Sequence, residues 1–272
     1  MSIDAAKLAA CQELVRSCAV PILACDDRKF GIEGTGTLFR MGSLSLLVTA
    51  AHVAELIKSA PGRMALPLTR GNVCDFVDFT GCTVLCPRES ALPFNADAGV
   101  VVLHEREQVQ RLERSWTFLS DGNLGLVPQE SGSFLVAGYP ASLSRTDESG
   151  LSLVAEMLCF RSTEFTDELG DCKTAPNDQV DLFLRHDKAL LTDSGLTVET
   201  PALRGMSGAS VWAMGSHESE GHIWTPEADL KIVGVQVSCK PGQWVRAVRW
   251  GIVAVVLAKA AKESLSNTMG SG

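Results

Sequence analysis

The chain has 272 residues, is 46% hydrophobic and 21% charged, and sets 24 Lys+Arg against 32 Asp+Glu for a formal net charge of -8. That hydrophobic share excludes wholesale disorder, and the length suffices to bury one large core or two small ones. The acidic balance argues against a nucleic-acid backbone binder, which needs a basic stripe, and against docking on an anionic membrane.

Residues 3–18 read as a helix: Leu8, Cys11, Leu14, Val15 and Cys18 recur at helical spacing, Asp4 suits the positive end of the helix dipole, and Pro21 is expected to end it. The start of the chain, with Asp4 and no basic cluster ahead of an apolar run, does not read as a secretory leader. Short strands separated by Gly and polar turns follow at 19–24, 34–39, 45–49, 73–79, 82–86 and 99–103, with Gly42 as a hairpin link. Residues 105–125, charged and then Gly-containing, read as the connection between halves. A second strand set is expected at 132–137, 153–160, 180–184, 210–213, 232–237 and 244–248. This rhythm predicts an all-β fold of two small antiparallel barrels or sandwiches rather than alternating βαβ units. Residues 247–265 read as a docked C-terminal helix, and the apolar run at 250–258 is too short for the roughly 20 residues of a membrane span.

Nine cysteines, an odd number without C-x-x-C or finger spacing, read as reduced thiols of a cytoplasmic protein with no structural zinc. His217 and His222, in a polar loop, lack metal-ligand spacing, His186 in Arg185-His186-Asp187 reads as a surface residue, and no calcium-loop motif is present. No metal or other cofactor is expected.

Chemistry concentrates in three places. In Val48-Thr49-Ala50-Ala51-His52-Val53 an apolar strand ends in two alanines and a histidine, so the imidazole sits on a corner among side chains too small to bury it. Taken alone, a histidine is more often structural than catalytic. In Asn95-Ala96-Asp97-Ala98-Gly99-Val100 a carboxylate opens an apolar strand, where partial burial demands a donor such as an imidazole N–H; a solvated turn Asp is the commoner role. In Gly205-Met206-Ser207-Gly208-Ala209 glycines flank a Met-Ser pair before a strand, a setting for a tight loop whose N–H groups converge on a developing oxyanion, or for an ordinary Gly-Ser turn. The hydrolase elbow G-x-S-x-G is not met, because its fifth position is Ala209.

With His52, Asp97 and Ser207 in that order, the chain resembles the trypsin/chymotrypsin-like serine peptidases, and looks closest to their bacterial branch of Deg-type and glutamyl-endopeptidase-like members. Gly34-Thr35-Gly36-Thr37-Leu38-Phe39, Thr49-Ala50-Ala51-His52, Asp97 before its apolar strand, and Gly205-Met206-Ser207-Gly208 carry the resemblance. Val136-Ala137-Gly138-Tyr139-Pro140 and Ile232-Val233-Gly234-Val235-Gln236-Val237-Ser238 add softer matches. The resemblance implies a double antiparallel β-barrel with an N-terminal and a C-terminal helix: 1–24 helical extension, 25–125 first barrel with His52 and Asp97, 126–246 second barrel with Ser207, and 247–272 helix and tail.

It further implies a serine endopeptidase in which Ser207 forms the acyl-enzyme, His52 is the general base, Asp97 orients it, and the Gly205 and Ser207 N–H groups form the oxyanion hole. The specificity pocket would be floored near Pro201 and walled by Gln236, Val237 and Ser238. No acid stands at Pro201, so cleavage after Arg or Lys is not implied, although Glu199 and Asp193 leave it open; a small or apolar residue before the cut is the expectation. The substrate is a protein or peptide. The acidic stretch 164–178 is read as a solvated loop, with a regulatory-partner surface as the alternative. A catalytically silent peptide-binding module and an esterase are the competing readings of the same fold.

Overall fold

In the computed structural model, residues 3–26, 29–70, 72–73, 75–86, 96–125, 127, 132–146, 152–170, 172, 174–191, 197–215 and 224–269 are described. Asn95, Asp193, His217, His222 and Cys74 lie outside them. Helix α1 (Ile3–Cys18) leads into strands β1 (Ala19–Asp26), β2 (Lys29–Met41) and β3 (Leu44–Thr49), then helix α2 (Ala51–Ser59). Strands β4 (Met64–Pro67), β5 (Asn72–Val73), β6 (Phe76–Asp78), β7 (Thr83–Leu85) and β8 (Gly99–Leu103) complete the first half. After helix α3 (Arg106–Leu112) come β9 (Ser133–Gly138), β10 (Ser144–Thr146), β11 (Leu153–Ala155), β12 (Leu158–Thr163), β13 (Asp181–Arg185), β14 (Ala189–Leu191), β15 (Thr197–Glu199) and β16 (Ser210–Met214). Helix α4 (Pro226–Asp229), β17 (Leu230–Lys240), β18 (Trp244–Arg249) and helix α5 (Trp250–Met269) follow.

The first half curls into an antiparallel sheet of order β6-β4-β1-β2-β3-β8-β7, and the second into one of order β12-β9-β16-β17-β18-β13. This is the all-β double antiparallel barrel, with an N-terminal and a C-terminal helix, expected from the sequence. Register shifts at Ile22/Leu23, Val211/Trp212 and Gln236/Ser238 bend the long strands so that each sheet curls. A short sheet, β10-β11-β5, stitches the halves together through Leu153 opposite Val73.

Composition explains the placement. Strand β8 (Gly99-Val100-Val101-Val102-Leu103) is buried along its whole length, which is why it is apolar on both faces rather than alternating. On α1, Cys11, Val15 and Cys18 form the buried stripe. One hydrophobic cluster runs from α1 through the first barrel to Val235, Val237, Val248 and Trp250 of the second half; a separate one, around Phe134, Leu182, Met206 and Val245, fills the second barrel.

Several expected boundaries are corrected. The first helix keeps its expected end at Cys18, but Pro21 is not what stops it: strand β1 begins at Ala19, two residues before the proline. The Thr35 N–H opposite Pro21 points away from β1, to Ser207, so the proline occupies a non-hydrogen-bonded pair and its missing N–H faces the side where β4 pairs only from Leu23 onward. The expected strand 73–79 is two pieces, because β5 pairs with β11 while β6 pairs with β4. Likewise 153–160 breaks between β11 and β12, which join different sheets. Residues 247–249 end strand β18, held by β13 and β17, so the last helix starts at Trp250. The stretch 105–125 contains α3 and a 3-10 turn at Asp121–Asn123.

Candidate active site

His52 is the second residue of α2, whose N-cap, Ala50, provides no side-chain cap. The opening N–H groups of a helix lack intrahelical acceptors, and a carboxylate is favoured there. Asp97 fills that role from another element: pairing of Thr49 with Gly99 brings the residues just before β8 against the end of β3. Its Oδ1 accepts the His52 backbone N–H at 3.0 Å, and its Oδ2 lies 2.7 Å from His52 Nδ1. One carboxylate thus caps the helix and holds the ring. The side chains are 44% and 38% exposed, so the pair lies open to solvent at a cleft edge. The hydrogen bond to Asp97 holds the His52 pKa above the ordinary histidine value; partial burial opposes the shift, and the charges of Asp97 and Glu55 add to it.

Ser207 sits on a loop wedged between the halves. Gly205 and Gly208 both adopt φ +92, a conformation that glycine alone takes without strain. At Gly208 a Cβ would overlap the Thr35 carbonyl and the Thr49 hydroxyl and lie 3.1 Å from Ala50 N, so the loop backbone is pressed against the residues that lead into His52. The Ser207 carbonyl accepts the Thr35 N–H at 2.8 Å, and Thr35 Oγ1 donates to the Gly205 carbonyl at 2.9 Å. Within the loop, Met206, Gly208 and Ala209 donate to Leu203, Gln236 and Met206 carbonyls, whereas the Gly205 and Ser207 N–H groups have no acceptor among the described residues. The Ser207 hydroxyl and His52 Nε2 likewise have no hydrogen-bond partner among the described residues, and no bond joins the two. Rotation of a serine side chain is a small motion, and such bonds often close only around substrate.

A cavity of about 300 Å³ opens beside His52 and Asp97, lined by Ala51 and Ala96 from the first half and by Thr174, Asp181, Val237, Ser238, Arg246 and Val248 from the second. Of the expected pocket residues, Val237 and Ser238 line it. Gln236 is buried, and its backbone accepts the Gly208 N–H and donates to the Ala209 carbonyl; Pro201 is half-buried. Arg246, Asp181 and Thr35 were not singled out in the sequence. Arg246 and Asp181 are each a charge set alone in an apolar strand (Trp244-Val245-Arg246-Ala247-Val248 and Val180-Asp181-Leu182-Phe183), a signal that could have marked both as buried charges in need of a partner without naming that partner.

His186 is buried, not at the surface: its Nδ1 accepts the Gly242 N–H at 3.0 Å, its ring packs edge-on to Phe160, and burial lowers its pKa. No disulfide joins the described cysteines to one another, and burial, aided by Asp78, pushes the Cys25 and Cys82 thiols up to about 11, far from nucleophilic thiolates. Among the described residues there is no cluster of His, Cys, Asp and Glu able to hold a metal ion, and no helix is long and apolar enough to cross a membrane.

No family model matches the chain, and no curated protein matches it. Solved structures do. A thermostable serine protease, AL20, from an extremophilic microorganism aligns at TM-score 0.48 and 10% identity over 86% of this chain and 91% of its own. The active form of the Rv3671c protease from M. tuberculosis aligns at 0.46 and 16%, over 94% and 86%. A structure from work on the Sesbania mosaic virus VPg protein aligns at 0.44 and 15%, over 86% and 87%. Likenesses this distant assign no activity.

Proposed function

We propose that the protein is a hydrolase acting through a serine nucleophile, and more particularly a serine endopeptidase of the trypsin/chymotrypsin-like family, on its bacterial branch. The observation that carries this reading is the His52 ring fixed by Asp97 beside a loop that holds Ser207 and two N–H groups without acceptors. Ser207 Oγ attacks a peptide carbonyl and its proton passes to His52 Nε2; the C–N bond breaks as His52 returns the proton to the leaving amine, and water then cleaves the acyl-enzyme by the same exchange. Asp97 accepts from Nδ1–H, which leaves Nε2 as the basic atom, and offsets the charge of the imidazolium. The Gly205 and Ser207 N–H groups are placed in the oxyanion-hole role, where losing one donor costs roughly 3–4 kcal/mol of barrier.

The substrate in this reading is a protein or peptide chain, with Pro201, Gln236, Val237 and Ser238 as its expected pocket. Free thiols favour a reducing compartment such as the cytoplasm. A regulatory partner on the acidic stretch 164–178 belongs to the same reading; within it Asp167 pairs with Arg185 and Thr174 reaches the cavity. The absence of a hydrogen bond between Ser207 and His52 is the feature that a silent peptide-binding module of the same fold would share. Labelling with a fluorophosphonate probe separates the two: the wild-type chain takes the label and Ser207→Ala does not. An unlabelled wild-type chain defeats the enzyme reading. Matched ester and amide peptides then separate an esterase from a peptidase.

A further inference from the structure

The cavity beside His52 holds a feature that nucleophilic catalysis does not use. Arg246 Nε and Nη2 grip the Asp181 carboxylate at 2.8 and 2.7 Å; the side chains are 10% and 2% exposed. Asp181 also accepts the Asn177 N–H at 2.8 Å, so both its oxygens are engaged. Arg246 Nη1 reaches the Thr174 carbonyl at 3.3 Å and stands 4.0 Å from Cys172 Sγ. A guanidinium carries five N–H donors, so it keeps donor capacity beyond these contacts, and it lines the cavity together with Thr174 and Ser238. Val237, Val248, Ala51 and Ala96 supply apolar walls.

The charges decide what such a cavity accepts. Arg246 and Asp181 cancel each other, and among the described residues the other ionisable groups lining the space are Asp97 and its partner His52. A carboxylate entering would find Arg246 already neutralised and Asp97 opposed to it. An ammonium or guanidinium would find the oxygens of Asp181 occupied and Arg246 in its path. Burying either charge without compensation is costly. A neutral amide meets neither penalty: its oxygen takes an Arg246 or Ser238 donor, its NH2 finds hydroxyl oxygen on Thr174 or Ser238, and its methylenes lie on the valines and alanines.

We propose that this cavity is a substrate subsite selective for a carboxamide side chain, Gln or Asn, in the peptide segment next to the cleaved bond. The proposal rests on the serine-peptidase reading. Arg246 is its specificity determinant and Asp181 holds Arg246 in place. Contact with His52 itself keeps the recognised residue within a few positions of the cut, since an extended chain advances about 3.4 Å per residue.

The test is a positional-scanning peptide library, four residues to each side of the bond, run on chain whose active serine has been titrated with the fluorophosphonate probe. The expected result is one position at which Gln or Asn raises kcat/KM at least tenfold over Glu, Asp, Lys and Arg. In the paired variant Arg246→Leu/Asp181→Leu, which removes both charges, that position should turn to apolar residues while probe labelling persists. Ser238→Ala provides a milder arm, with the amide preference reduced several-fold and the fold intact, should the paired variant not fold. Normal labelling with a preference for charged or apolar residues at every scanned position overturns the subsite alone. Absence of labelling overturns the peptidase reading beneath it.

Discussion

Thr35 donates its backbone N–H to the carbonyl of Ser207 at 2.8 Å, a bond between the first barrel and the loop of the candidate nucleophile. The same residue donates from Oγ1 to the Gly205 carbonyl, accepts at Oγ1 from the Tyr139 N–H and takes the Thr49 hydroxyl on its own carbonyl. With 0% exposure, none of these groups has water to fall back on. Thr35→Val keeps the shape but strands the Gly205 carbonyl and the Tyr139 N–H. At about 1–3 kcal/mol for each buried orphan, the expected loss is roughly 2–6 kcal/mol in urea unfolding, with Thr35→Ser losing far less.

Asp97→Asn should separate Asp97's two tasks. An amide oxygen can still accept the His52 backbone N–H, so the helix cap and the thermal midpoint change little. The amide NH2 cannot accept from Nδ1–H, so in the proposed mechanism the ring takes the wrong tautomer and kcat should fall by about 10⁴-fold, as this substitution does in a Ser-His-Asp triad. A variant within tenfold of wild type would remove Asp97 from the mechanism.

The pH profile follows from His52. Its pKa stands above the usual 6.5, chiefly through the hydrogen bond to Asp97. Activity needs the neutral ring, so kcat/KM should rise with pH and reach half its plateau above 6.5; Asp97→Asn should bring that midpoint down. The stability linkage runs the other way. A folded-state pKa raised above the unfolded value adds stability that is complete below about 6.5 and disappears as pH climbs through the raised value. Denaturant midpoints measured across that window should decline for the wild type and less steeply for Asp97→Asn.

Gly208→Ala is expected to prevent folding or to lower stability by more than about 3 kcal/mol, because the added methyl meets Thr35 and Thr49 at a backbone angle of +92. Circular dichroism melts and soluble yield measure this. Gly42→Ala, at φ +58 with nothing within 4 Å, carries only the backbone strain and should cost about 1–2 kcal/mol.

Iodoacetamide at neutral pH should alkylate Cys25 and Cys82 only slowly, as read by peptide mass spectrometry. Thiols held near 11, as Cys25 and Cys82 are, present almost no thiolate to the reagent. Rapid inactivation in step with alkylation would point to a cysteine in the chemistry.

Much of the fold was legible because barrel strands betray themselves locally, through apolar runs such as 99–103 cut by glycines and turns. The settings of His52, Asp97 and Ser207 were legible for the same reason: small neighbours, a carboxylate ahead of an apolar strand, and a Gly-flanked loop. What escaped was partnership at long range. Arg246 and Asp181 stand 65 positions apart, and nothing near either names the other. Thr35 looked like one more strand threonine until Ser207, Gly205 and Tyr139 surrounded it. His186 seemed solvated because Arg185 and Asp187 flank it, yet the bond from Gly242 and the ring of Phe160 draw it inward. Pro21 fits inside the expected strand because it sits where a strand can do without a donor.

The bonds from Thr35 to the carbonyls of Ser207 and Gly205 rivet the two halves together at the base of the loop. Banks fastened in this way do not spread apart. Under the proposed peptidase reading, a slack loop, a frayed end or a chain already pulled straight is therefore a better target than a compact globule.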